Sequence, residues 1–268
     1  MKSFTGVLLL LALQSFVHAG SASDDIKVEA DGLRVVGANK TSDESMRAFN
    51  WTSGTTVSLL IFSEKGGLIQ FDAENSALAK FLDGKGNDML TKPADYKGFG
   101  RIGFSMFPRI SSDGKACSIE VSSPNLPAKG TTQLKVEGVI TVLCASKKTE
   151  HVQTNVALKD GSKITCPELE LTINNVAKPD FGDDPLGLTL RSKKKMDSVA
   201  EIKFFKADGS EIKARKTGTS QMGIFGDLTV EWNYNFSEKA DVATVKIYIW
   251  SDLQKKKVPF SLDVGVGL

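Results

Sequence analysis

Two histidines and three cysteines are all the chain offers in 268 residues, no segment keeps a helical period, and no long apolar run follows the N-terminus. Each shortage excludes something. A zinc site of ordinary ligand spacing lacks imidazoles and thiols. A Ser-His-Asp or Cys-His arrangement would have to recruit His151, the one histidine beyond the N-terminal segment, which lies beside Glu150 in a polar, strand-like stretch. The G-x-S-x-G elbow, the H-E-x-x-H helix and the P-loop are all missing. Without helical periodicity, parallel α/β architectures are disfavoured. Charge of one sign is lacking too, since 34 Lys and Arg face 32 Asp and Glu. No field then favours nucleic acid or an anionic membrane, and no basic stripe is interleaved with aromatics. The Lys193–Lys195 and Lys255–Lys257 runs read as solvated turns beside strands, so nucleic acid is not an expected partner.

The N-terminus is the first positive signal. Lys2 opens a short basic region, the stretch Gly6–Val17 is apolar but for Gln14 and Ser15, and Val17-His18-Ala19 supplies a small-x-small cleavage site before polar Ser21–Asp25. A run this short fits a secretory signal; a spanning helix needs roughly 20 apolar residues. The expectation is a signal peptide at 1–19, a secreted or periplasmic location, and no integral membrane association. Cys117, Cys144 and Cys166 then meet an environment that permits disulfides. Each is in phase with apolar neighbours: Cys117 with Ile119 and Val121, Cys144 with Val142 and Ile140, Cys166 with Ile164. All three should point into a core. Buried thiols behaving as small hydrophobes and one internal disulfide both remain open.

The rest of the chain reads as strands punctuated by Asp31-Gly32, Asp83-Gly84, Asp113-Gly114, Asp160-Gly161 and Asp208-Gly209, dipeptides that tolerate the positive φ of tight hairpins. Leu228, Val230, Trp232, Tyr234 and Phe236 alternate with polar residues, the pattern of a strand with one buried face. Val258, Phe260, Leu262 and Val264 alternate likewise. Strands are expected near 26–36, 55–63, 67–72, 116–123, 133–145 and 150–158, then at 164–175, 186–191, 199–206, 211–215, 227–236, 243–250 and 256–265. Asn75–Leu82 is expected to form a turn or two of helix. The fold class is all-β: two tandem antiparallel β-sandwich domains at 20–162 and 163–268, the C-terminal one with about seven strands and immunoglobulin-like or fibronectin-III-like.

Motifs carry little chemistry. Gly98-Phe99-Gly100-Arg101-Ile102-Gly103 matches G-x-G-x-x-G, but Pro108 lies where a phosphate-binding helix should follow, so a Gly-rich loop between strands is expected. The acidic stretches Asp83–Asp88 and Asp180–Asp184 have oxygen ligands suited to calcium, yet not the EF-hand spacing, and read as turn chemistry. Three N-x-S/T triplets, at Asn39, Asn50 and Asn235, decide nothing. Strand phase is more informative. Val245, Ile247 and Ile249 should face the core, which turns Tyr248 and Trp250 outward. Burial of Ala200, Ile202 and Phe204 turns Phe205 outward as well. If these two strands are neighbours, Phe205, Tyr248 and Trp250 form an outward aromatic patch flanked by Lys203 and Lys246, suited to a protein or saccharide surface.

Four segments, Leu126-Pro-Ala-Lys-Gly130, Asp208-Gly-Ser-Glu-Ile212, Val245-Lys-Ile-Tyr-Ile-Trp250 and the terminal Val264-Gly-Val-Gly-Leu268, resemble those of uncharacterised exported proteins of planctomycete and verrucomicrobial bacteria. The resemblance runs from about Gly54 to the C-terminus. It implies a bacterial secreted or periplasmic setting and no activity. The functional expectation is a non-catalytic binding or structural module of the cell envelope or extracellular space, with no cofactor. The alternatives are a secreted hydrolase using paired carboxylates and a calcium-stabilised adhesion module.

Overall fold

The computed structural model of the chain describes residues 25–41, 43–48, 51–94, 102–105, 107–166, 169–224 and 227–266. The expected signal peptide, Gly98–Arg101 and Asn50 lie outside the described residues. Within them the chain is all-β, with antiparallel sheets, one 3-10 turn at Glu44–Met46 and no α-helix. No helix is long and apolar enough to cross a membrane among the described residues.

The strands in chain order are β1 (Ile26–Val36), β2 (Gly54–Ser63), β3 (Leu68–Phe71), β4 (Ala77–Asp83), β5 (Gly103–Phe104), β6 (Arg109–Ile110), β7 (Ala116–Ser123), β8 (Gln133–Cys144) and β9 (Lys148–Ala157). There follow β10 (Lys163–Cys166), β11 (Leu169–Ala177), β12 (Leu186–Ser192), β13 (Val199–Phe205), β14 (Glu211–Ile212), β15 (Ala214–Ile224), β16 (Asp227–Phe236), β17 (Val242–Trp250) and β18 (Gln254–Gly265). One sheet runs β1-β2-β7-β5, with β6 also on β7, and a second runs β18-β8-β3, with β4 also on β8. A third runs β14-β13-β17-β9 and the fourth β10-β11-β12-β16-β15.

Period-2 alternation builds two separate cores. In β7 every second side chain is buried, and Val57, Leu59 and Ile61 of β2 do the same beside it. With Val136, Ile140 and Val258 of the facing sheet they form the first core, each large side chain contributing about 1.5–3 kcal/mol of burial. The second core draws on Leu171, Leu190, Trp232 and Phe236 from one sheet and on Phe204, Val245 and Ile247 from the other. Cys117 and Cys144 lie in the first core and Cys166 in the second, as buried free thiols. Apolar surroundings push the Cys117 thiol up to about 11, where it is inert as a nucleophile.

Strand pairing crosses the expected division at 162/163 in both directions. β9 pairs with β17 and gives Val156 to the second core. β18 pairs with β8 along its whole length, from Gln254 opposite Cys144 to Gly265 opposite Gln133, and gives Val258, Phe260 and Val264 to the first. Residues 148–250 thus sit as an insertion between β8 and β18. Alternation reveals that a strand has a buried face but not which sheet receives it. The expected helix at Asn75–Leu82 is strand β4 instead. Its Ala, Leu and Lys are good helix formers, but β8 supplies a ladder and Phe81 is completely buried against the first core, so tertiary context overrides a weak propensity. Gly138 of β8 makes the approach feasible, since a Cβ there would lie 2.5 Å from the Ala77 carbonyl oxygen.

Candidate functional site

β13 and β17 are neighbours, with Phe205 opposite Thr244, Lys203 opposite Lys246 and Glu201 opposite Tyr248. Val245, Ile247 and Ile249 are buried, and Phe205, Tyr248 and Trp250 lie half-buried on the other face. On β13 a bulge between Val199 and Glu201 shifts the expected phase: Val199 is buried and Ala200 only partly so. The three aromatics are strung along the face. Phe205 is six residues from Trp250 in register, about 20 Å at ~3.4 Å per residue.

Cations and one carboxylate fill the space between them. The Lys246 ammonium sits 5.1 Å from the Phe205 ring centroid and 3.2 Å from Glu150 Oε2. The Tyr248 hydroxyl donates to the same oxygen at 2.8 Å. That bond, then the Lys246 contact, lowers the Glu150 carboxyl; the same bond, then loss of water and the Glu150 charge, raises the Tyr248 phenol. At the far end Lys148 lies 4.7 Å above the Trp250 ring.

Trp250 also stands at the rim of a cleft of about 1270 Å³ that sequence reasoning missed. Its floor is the inner face of the β15–β16 hairpin, where Lys216 lies opposite Tyr234, Thr219 opposite Trp232 and Gln221 opposite Val230. A bulge between Lys216 and Gly218 keeps these side chains on one face despite the extra residue. The start of β13, β3 with the preceding turn at 65–67, the turn at 111–114 and Ala145, Ser146 and Lys148 of the crossing segment also line it. The cleft therefore joins elements of both cores. Trp232 and Tyr234 are buried, Tyr234 by an edge contact to Phe204 with centroids 5.6 Å apart. The Lys216 ammonium lies 3.1 Å from the Trp232 ring centroid. Loss of water there lowers its pKa to about 8.

The carboxylates of the cleft are Asp113, Asp197 and Glu201. Asp113 accepts from Ser111 Oγ at 2.6 Å and from the Lys115 amide at 3.0 Å, inside its own turn. Glu201 faces Lys203 at 3.5 Å. In the acidic stretches considered for calcium, Asp83 accepts backbone amides of its turn, and Asp184 accepts from Arg215 and Asn235. His151 lies opposite Ile247 in the ladder. No group of three or more His, Cys, Asp or Glu converges among the described residues. Gly103, the last glycine of the G-x-G-x-x-G match, opens strand β5 on β7.

Compared with known proteins, the chain matches no family model, no curated protein and no solved structure.

Proposed function

We propose that the chain is an exported, non-catalytic binding module of the cell envelope or extracellular space, built as two β-sandwich domains. The first comprises 25–144 closed by 254–265. The second, at 148–250, layers four strands on five in an immunoglobulin- or fibronectin-III-like manner. Export is supported by the basic, apolar and small-x-small pattern of residues 1–19 and by the resemblance to exported bacterial proteins. One observation carries the binding role: Trp250 joins the outward aromatic face of β13 and β17 to the large cleft. A rigid sheet face bearing aromatics with polar edges suits a saccharide or protein surface.

The purified chain, screened against immobilised polysaccharides and envelope proteins, should retain a ligand that the Tyr248→Ala/Trp250→Ala double variant loses, with the thermal midpoint nearly unchanged. Equal retention by the variant would defeat the proposal, and a large drop in its midpoint would make the aromatics structural. A second reading has one observation in its favour. Asp197 and Glu201 line the same cleft, and a hydrolase acting through paired carboxylates would release products from the retained saccharide. Product loss in Asp197→Asn and Glu201→Gln would establish it.

A further inference from the structure

The floor of the cleft has the wrong polarity for the inside of a sandwich. β16 presents Val230, Trp232 and Tyr234 to that face, but β15 presents Lys216, Thr219 and Gln221 opposite them. β15 is the last strand of its sheet, and its Lys216, Thr219 and Gln221 line the cleft. Lys216 and Tyr234 are direct cross-strand partners, which sets their Cβ atoms about 5 Å apart on one side. The Lys216 ammonium has a ring face for company and no carboxylate partner among the described residues. The Tyr234 hydroxyl has no hydrogen-bond partner among them either. An ammonium carries three donors and a phenol one, and both residues line the open cleft. Donors on two cross-strand neighbours facing one cleft can share an oxygen acceptor, and a negative one suits the ammonium.

We infer that the cleft binds an acidic saccharide, a carboxylate of which is received by the Lys216 ammonium and the Tyr234 hydroxyl while Trp250 at the rim lies against a sugar ring. This rests on the reading of the chain as a binding module. Size favours several linked units, because the cleft exceeds the roughly 300–1,000 Å³ typical of single small-ligand pockets. Neutral Thr219 and Gln221 offer hydroxyl and amide groups to a sugar's hydroxyls. The other charged groups lining the cleft are Lys65, Asp113, Lys148, Asp197 and Glu201. Asp113 is held by its turn; Glu201 faces Lys203 but its charge also acts on the Tyr234 phenol, and Lys216 is the cation that lies opposite Tyr234.

Titration calorimetry of the purified chain with oligogalacturonate, a neutral oligoglucoside of equal length and oligoglutamate tests this. The acidic saccharide should bind best, at least tenfold more weakly to Lys216→Met and several-fold more weakly to Tyr234→Phe. Both variants should melt like the parent, since Lys216 is exposed as a residue and Phe keeps the buried ring. Because the free ammonium titrates near 8, affinity should be level below that pH and fall by up to tenfold per unit above it. Equal binding of the neutral saccharide, an unchanged Lys216→Met variant, or preference for oligoglutamate overturns the inference and leaves the recognition module standing. No binding of any probe by the parent, in this titration and in the wider screen, overturns both.

Discussion

Asp83 illustrates how much a single carboxylate organises here. Its Oδ1 accepts the amides of Lys85 and Asn87, each at 2.9 Å, and its Oδ2 accepts Asn87 Nδ2 at 2.8 Å and the amide of Ala128 at 2.9 Å. The end of β4 is thereby tied to a loop 45 residues away. Burial works to raise its pKa, but these donors outweigh it and hold the carboxyl well below 3.8. A depressed folded value means the stabilisation is present above the unfolded value and fades as pH falls below about 4. Asp83→Ala should cost on the order of 1–3 kcal/mol at neutral pH by removing the acceptor shared by four part-buried hydrogen bonds. In urea titrations from pH 7 downward, the parent's midpoint should drop below about pH 4 and the variant's should drop less; parallel curves would show that Asp83 is not the group titrating. At this scale the sequence was legible for Cys117, Cys144 and Cys166 and for the outward phase of Tyr248 and Trp250, because period 2 assigns a face directly. Lys216 was illegible, because its meeting with Tyr234 and Trp232 depends on a cross-strand register and a bulge.

Among elements, the two segments that connect the cores are the least conventional. β8 becomes β9 and β17 becomes β18 side by side, with Trp250 opposite Lys148 on one side of the crossing and Gln254 opposite Cys144 on the other. Between them Asp252 accepts the amides of Ser146 and Lys147, each at 2.9 Å, and Ser146 Oγ at 2.7 Å. The Lys147 amide, then the Ser146 hydroxyl and amide, hold the Asp252 carboxyl at about 2. Asp252→Ala should speed hydrogen exchange at the Ser146 and Lys147 amides and lower the thermal midpoint. Acidification from pH 4 towards 2 should reproduce the faster exchange, after correction for intrinsic rates, in the parent alone. Unchanged protection in the variant would mean that the ladder holds the crossing without the clasp. Strands with a clean apolar phase, such as β7, β16 and β17, were readable to within a residue or two. β15 was read only as far as 215, because an exposed edge strand carries no apolar alternation and is defined by its pairing with β16.

For the molecule as a whole, composition and turn chemistry gave the all-β class, while the grouping of strands into cores was set by a pairing between segments more than a hundred residues apart. Asp160-Gly161 marks a turn, and a turn carries no information about which core its flanking strands join. β18 is the decisive element. It borders β8 over its full length and buries Val258, Phe260 and Val264. Those three side chains at about 1.5–3 kcal/mol each rival the ~5–15 kcal/mol that stabilises an ordinary domain. Removing residues 254–268 should therefore unfold the first core. The second core contains none of β18 and should survive. Two of the three tryptophans, Trp232 and Trp250, lie within 148–250, so the truncated chain should keep the blue-shifted emission of buried Trp232 and a cooperative thermal transition. Amide protection should vanish in β2, β7 and β8. A truncated chain that loses the Trp232 signal together with that protection would show the two cores to be one cooperative unit, with the cleft between them as the seam that couples them.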